Sequence, residues 1–159
     1  GPWCYEMHEP GFNYRITDFQ CALGSSQLKK LGQFVQKRRE IAKKYNKSFS
    51  NGDKLIIPET HSSIEHAYHL YPLQIDFKKL SLTKAQFFKK MKEVDIKLKV
   101  HFIPVHFQPF YQKNYGFNTG DFPVAESFYR NEVSLPIFPD LSLDDVDLIV
   151  KNIIMFISA

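Results

Sequence analysis

The sequence predicts an α/β fold, a small mixed or antiparallel sheet covered on one face by helices, and three observations carry that prediction. Residues 96–102 alternate Ile96, Leu98, Val100 and Phe102 with Lys97, Lys99 and His101, the period-two pattern of a strand with one buried face. Two stretches, 33–50 and 142–157, repeat apolar residues at helical spacing. Between them, short strand-like segments are separated by single helices, the order expected of one sheet layered with helices.

Taken in order, the first element is a helix opening at Thr17. Thr17 and Gln20 have the T-x-x-Q spacing of a capping box. The helix body carries Ala22, Gly24, Ser25 and Ser26. Side chains this small let another backbone approach, and a glycine inside a helix costs about 1 kcal/mol relative to alanine, so a packing reason is expected. An ordinary buried helix is the plain alternative. Ahead of it, Phe12 and Ile16 bracket a polar trio, Asn13, Tyr14 and Arg15, that finds no partner in the neighbouring sequence. That segment reads as a docking turn.

In residues 33–50 the inner stripe is Phe34, the Arg38 stem, Ile41, Ala42, Tyr45 and Phe49, with Lys37, Lys43, Lys44 and Lys47 on the outer faces. Asn51-Gly52 is the expected stop. Residues 55–57 form a short strand candidate ended by Pro58. Residues 69–77 form a second, which Pro72 places at an edge or a bulge. Thr83 and Gln86 repeat the capping box and start a helix with Phe87, Phe88, Met91 and Val94 inward. After the alternating strand, residues 104–111 are so rich in proline and aromatics that a shaped loop is expected, followed by more loop to Gly120. Asp121 with Pro123 starts a helix ending near Val133. Residues 134–138 are a last strand, broken by Pro136. Ser142 with Asp145 caps a final helix that buries Val146, Ile149, Val150, Ile153, Ile154 and Ile157.

Composition bounds the function. At 159 residues the chain has room for one good core, and 43% apolar with 15% aromatic residues excludes a disordered chain. Two cysteines without C-x-x-C spacing fit free thiols in a reducing cytoplasm. No apolar run reaches the roughly 18 residues of a membrane span. The excess positive charge is local: eight Lys or Arg lie between Lys29 and Lys47. Their helical phase makes them a solvated face rather than a nucleic-acid interface, because the aromatics among them are needed for the core. The chain opens Gly-Pro without an initiator methionine, which fits a processed chain or a piece of a longer polypeptide.

Histidines are the obvious candidates for chemistry. His61, His66 and His69 lie close in sequence, but spacing and context give them no converging cysteine or carboxylate, so no metal site is expected. His101 stands on the wet face of a strand just before a rigid turn, a placement suited to the lip of a cleft. A locally bonded surface histidine is the alternative. P-loop, Rossmann glycine, G-x-S-x-G and H-E-x-x-H patterns are absent.

The segments GFNYRITDFQCALGSSQLKKLGQFVQKRREIAKKY, HAYHLYPLQID and VHFIPVHFQPFYQKNYGF, followed by DFPVAE and SLPIFPDLS, together resemble one family. It is the DegT/DnrJ/EryC1/StrS family of pyridoxal-phosphate-dependent nucleotide-sugar aminotransferases. The resemblance covers essentially the whole chain and corresponds to the C-terminal portion of the family. It is nearest to the branch that makes pseudaminic acid by aminating C4 of a UDP-linked 4-keto-6-deoxy sugar with glutamate as donor.

The resemblance implies the C-terminal small domain of a fold-type I aminotransferase. Residues 1–50 would be the docking turn and linking helices that end the large domain, and residues 51–159 the α/β small domain. It also implies a cytoplasmic homodimer with active sites at the subunit interface, in which Asn13, with Tyr14 and Arg15, reaches the cofactor phosphate of the other subunit. His101 and, with it, His106 and Gln108 would border the sugar-nucleotide pocket. Phe102 stands where the family more often has tyrosine, removing any hydrogen bond from that hydroxyl. The lysine that holds pyridoxal phosphate and the aspartate that pairs with its ring nitrogen have no counterpart here, so this segment alone should be inactive. A reading of another class is a non-catalytic binding or oligomerisation module that keeps the small-domain fold.

Overall fold

The structure is a computed structural model that describes residues 2–50 and 52–158; Asn51, half of the expected helix stop, lies outside them. By contacts the chain divides into two units, residues 1–32 and 33–159.

The first unit holds the polar turn at residues 13–15 and helix α1 (Asp18–Leu28). Asn13 Oδ1 accepts the Arg15 backbone N–H at 3.2 Å, an Asx-type turn that fixes the polar trio. The expected capping box is formed: the Gln20 N–H donates to Thr17 Oγ1 at 3.4 Å and the Thr17 N–H to Gln20 Oε1 at 2.9 Å. The plain alternative of a buried helix is overturned, because α1 buries no residue. Among the described residues, a side chain added at Gly24 would meet nothing within 4 Å, so the first unit by itself supplies no packing reason for the small residues.

The second unit is built on an antiparallel sheet of order β1-β2-β3, with β1 at Leu55–Ile56, β2 at Tyr71–Ile75 and β3 at Glu132–Leu135. Helices α2 (Leu31–Phe49), α3 (Lys84–Glu93) and α6 (Leu143–Ser158) supply most of the rest of the core, with Ile96 and Ile137 from the connecting segments. Tyr71, Leu73 and Ile75 project to one side of β2 and are buried with Ile41, Tyr45, Phe49, Phe87, Met91, Val133 and Ile153. Removing each such side chain from water stabilises the fold by about 1.5–3 kcal/mol. The Tyr45 and Tyr71 hydroxyls donate to the Pro136 carbonyl and Asn46 Oδ1. Burial raises the pKa of both, which keeps them as donors.

The basic run of α2 is spent partly inside this unit. Arg38 donates to the carbonyls of Tyr68, His69 and Ile137 at 3.1, 3.2 and 2.7 Å, and Lys44 pairs with Asp147 at 2.6 Å. Among the described residues no helix is long and apolar enough to cross a membrane.

Several expectations are corrected. Pro72 lies in the central strand rather than at an edge. Its partner Ser134 turns its own N–H and carbonyl away, to Lys99 at 2.8 and 3.3 Å, and β1 reaches only Gln74 and Ile75. No ladder bond is therefore asked of the proline nitrogen. The 96–102 strand is reduced to a single bridge, Lys99 with Ser134. Its alternation is kept in burial as far as Val100, but Phe102 is exposed.

The expected loop at 104–111 holds a 3-10 turn (Val105–Phe107) and the start of helix α4 (Pro109–Tyr115). Pro109 occupies the first helical position, where its missing N–H costs nothing. Helix α5 (Pro123–Asn131) starts without a side-chain cap, since Asp121 Oδ2 accepts from Asn118 N–H instead. β3 begins at Glu132, two residues before the expected strand. Val94 and Ile154 lie outward, although Ser142 does cap α6 as expected.

Candidate functional site

The second unit carries an open cleft of about 660 Å³ between the segment after the Lys99 bridge and the start of α5, lined by His101, Phe102, Pro104, Phe122, Phe128 and Asp121 among others. Its walls are mainly apolar, with three phenylalanines, and its polar groups few, the usual make-up of a small-molecule site.

His101 is held there by β3. Its backbone N–H donates to Glu132 Oε2 at 3.0 Å, and its Nδ1 lies 2.7 Å from Ser134 Oγ. Ser134 Oγ in turn donates to Glu132 Oε1. Glu132 and Ser134 are both buried. They fall two apart on β3, so strand geometry sends both side chains to the same face. The Lys99–Ser134 bridge brings His101 beside that face. Lys84 of α3 lies within electrostatic reach of Glu132: burial lowers the Lys84 pKa, and the glutamate partly opposes that.

His106 occupies a different setting. It is only 6% exposed, with Nε2 3.2 Å from Glu126 Oε1, and its ring packs on Phe122 at 4.8 Å between centroids. Glu126 Oε1 also accepts the Gly120 N–H at 2.7 Å. Burial works to raise the Glu126 carboxyl, but the Gly120 N–H, the His106 ring and the Phe122 N–H outweigh it and hold the group below its ordinary range. His106 thus braces Phe122, a wall of the cleft. Gln108 is exposed and precedes α4 without a side-chain capping bond.

The structure therefore brings His101 into the cleft, puts His106 behind its wall and leaves Gln108 outside its lining. Asn13, Tyr14 and Arg15 are all exposed in the first unit. Glu126, Glu132 and Ser134 were missed by sequence reasoning. A glutamate two positions before a strand serine carries no motif, and only an inward-facing carboxylate in a short apolar strand could have flagged it. Among the described residues no three His, Cys, Asp or Glu side chains converge as a metal site.

The profile of the DegT/DnrJ/EryC1/StrS aminotransferase family matches residues 3–154. The chain belongs to this family. It is 42% identical to the spore coat polysaccharide biosynthesis protein SpsC of Bacillus subtilis, over 96% of this chain and 40% of that protein. It is 33% identical to the UDP-4-amino-4,6-dideoxy-N-acetyl-beta-L-altrosamine transaminase of Campylobacter jejuni, over 92% of this chain and 38% of that one. Among solved structures, Helicobacter pylori PseC, an aminotransferase involved in the biosynthesis of pseudoaminic acid, superposes with a TM-score of 0.86 at 29% identity, over 96% of this chain and 40% of that chain. The chain thus spans about 40% of the length of the family members it matches. The observed sheet and helices are the C-terminal portion of a DegT-family aminotransferase fold, whose complete enzymes use pyridoxal phosphate.

Proposed function

We propose that the chain is the C-terminal segment of a cytoplasmic, homodimeric aminotransferase that aminates a UDP-linked 4-keto-6-deoxy sugar with glutamate as donor, for cell-surface glycan biosynthesis. The observation that carries the sugar-nucleotide side is His101, anchored by Glu132 and Ser134 in an aromatic cleft. Similarity to a UDP-sugar transaminase over 92% of the chain supports it. Phe102, Phe122 and Phe128 offer flat apolar walls for a deoxy sugar, and His101 offers an edge to orient it. His106 acts from behind through Phe122, and Gln108 is the outermost candidate contact.

The cofactor side falls to the polar trio. Because Asn13 Oδ1 is occupied by Arg15 N–H, the outward-facing capacity of the side chains is the Asn13 amide N–H groups, the Tyr14 hydroxyl and the Arg15 guanidinium. Those donors fit a phosphate dianion. These three residues would hold the cofactor phosphate of the partner subunit. Pyridoxal phosphate, once bound, supplies the electron sink that amino-group transfer requires.

The lysine that anchors its ring and the aspartate at the ring nitrogen belong to a preceding large domain. The unpacked small-residue face of α1 suits docking on that domain. Added to the 159-residue chain alone, pyridoxal phosphate should give no absorbance band of a lysine-bound cofactor; a clear band would refute the assignment of that lysine elsewhere. For the activity itself, the test is mass detection of a 4-amino sugar nucleotide when the enzyme carrying this segment is given the 4-keto sugar nucleotide and glutamate. Turnover of unrelated keto acids without sugar amination would overturn the reading.

A further inference from the structure

We propose that Glu132 and Ser134 are positioning residues that hold the neutral His101 ring as its Nδ1–H tautomer, so that Nε2 acts in the cleft only as a hydrogen-bond acceptor. His101 then selects a hydroxyl or amide N–H of the substrate and not a keto or phosphate oxygen. This rests on the reading of His101 as a substrate contact.

The argument is a count of donors. A carboxylate accepts and never donates. Each Glu132 oxygen already has its donor, the His101 backbone N–H on Oε2 and the Ser134 hydroxyl on Oε1. Ser134 has a single hydroxyl proton, and it is committed to Glu132. The 2.7 Å contact between Ser134 Oγ and His101 Nδ1 therefore requires the proton on Nδ1. In a neutral imidazole that leaves Nε2 with a lone pair. No described residue bonds Nε2, and the ring lines the cleft.

Three features keep the arrangement fixed. Glu132 is fully buried in β3, and Lys84 lies within electrostatic reach of it. The Ser134 backbone is locked to Lys99 in both directions. The ring is also packed edge-on against Phe102, 4.6 Å between centroids. The device differs from the His106–Glu126 pair, where the ring nitrogen meets a carboxylate directly and no face is left for a ligand.

The test is nitrogen-15 NMR of the histidine rings in the 159-residue chain, at a pH where His101 is neutral. The expected result is a His101 signal of the Nδ1–H form, favoured roughly tenfold, as one hydrogen bond of ordinary strength would give. Ser134→Ala should bring the two tautomers towards parity, and Ser134→Thr should restore the wild-type signal. A wild-type ring carrying its proton on Nε2 would overturn the proposal, whether or not the alanine variant folds. So would an unchanged tautomer ratio in a folded Ser134→Ala protein. The substrate reading is separated by adding a UDP-sugar to the complete enzyme that carries this segment: an Nδ1–H ring whose Nε2 resonance ignores the bound ligand supports the relay while counting against His101 as a contact.

Discussion

The same four-residue signal opens two helices in this chain, and the two regions then diverge. Thr17–Gln20 in the first unit and Thr83–Gln86 in the second both form complete capping boxes. Yet α1 buries nothing, with Phe19 left 90% exposed, whereas α3 buries Phe87 and Met91. The cap therefore determines where a helix starts, and the pattern behind it determines whether the helix has a core to join. α3 has an apolar stripe; α1 has a line of small residues and scattered large apolar ones. The first region accordingly leaves its apolar side chains exposed, whereas the second gathers its own into a core beside a cleft.

The largest effect that could break this contrast is in the core. Phe87→Ala should lower the unfolding free energy of the chain by about 4 kcal/mol, whereas Phe19→Ala should stay within about 0.5 kcal/mol. Denaturant midpoints compare them directly, and equal losses would erase the distinction between the regions. Next, Arg38→Met removes the guanidinium shared by three carbonyls and should cost about 2 kcal/mol through unsatisfied acceptors. Smaller again, Thr83→Ala should cost about 1 kcal/mol of global stability. Thr17→Ala should leave the midpoint unchanged and reduce only the helical circular dichroism.

The subtlest effect is in pH. Glu126 is held below its ordinary pKa in the folded chain, so its contribution to stability is complete above its unfolded value and is lost as pH falls through the folded one. Glu126→Gln should flatten the acid side of the stability profile. An unchanged slope would remove Glu126 as the partner that fixes His106 behind the cleft wall.

What the sequence made legible follows from which forces are local. Caps and 3.6-residue periodicity depend on neighbours in the chain, so the helices at Asp18, Lys84 and Leu143 were foreseen, as was the inner stripe of α2. Strand pairing depends on a partner far away. The alternation at 96–102 correctly reported one buried side but could not reveal that Ser134 alone would pair with it, nor that Pro72 could sit centrally because that same serine faces Lys99. Pro109 lies in a stretch whose proline and aromatic content favours a loop, yet a proline fits the first turn of a helix equally well. The cleft was half visible: His101 stood out by its place before Pro104, while Glu132, Ser134 and Glu126 gain their meaning only from residues 20 to 33 positions away.

The central claim is a division of labour, with Asn13 serving the cofactor phosphate and His101 the sugar nucleotide. It is tested most directly in the complete enzyme by a crossed measurement of the pyridoxal phosphate dissociation constant and the KM for the 4-keto sugar nucleotide. Asn13→Ala should weaken cofactor retention about tenfold and leave that KM nearly unchanged, and His101→Ala should do the reverse, each by roughly the strength of one charge-assisted or well-formed hydrogen bond. Both variants shifting the same constant, or neither shifting any, would contradict the account.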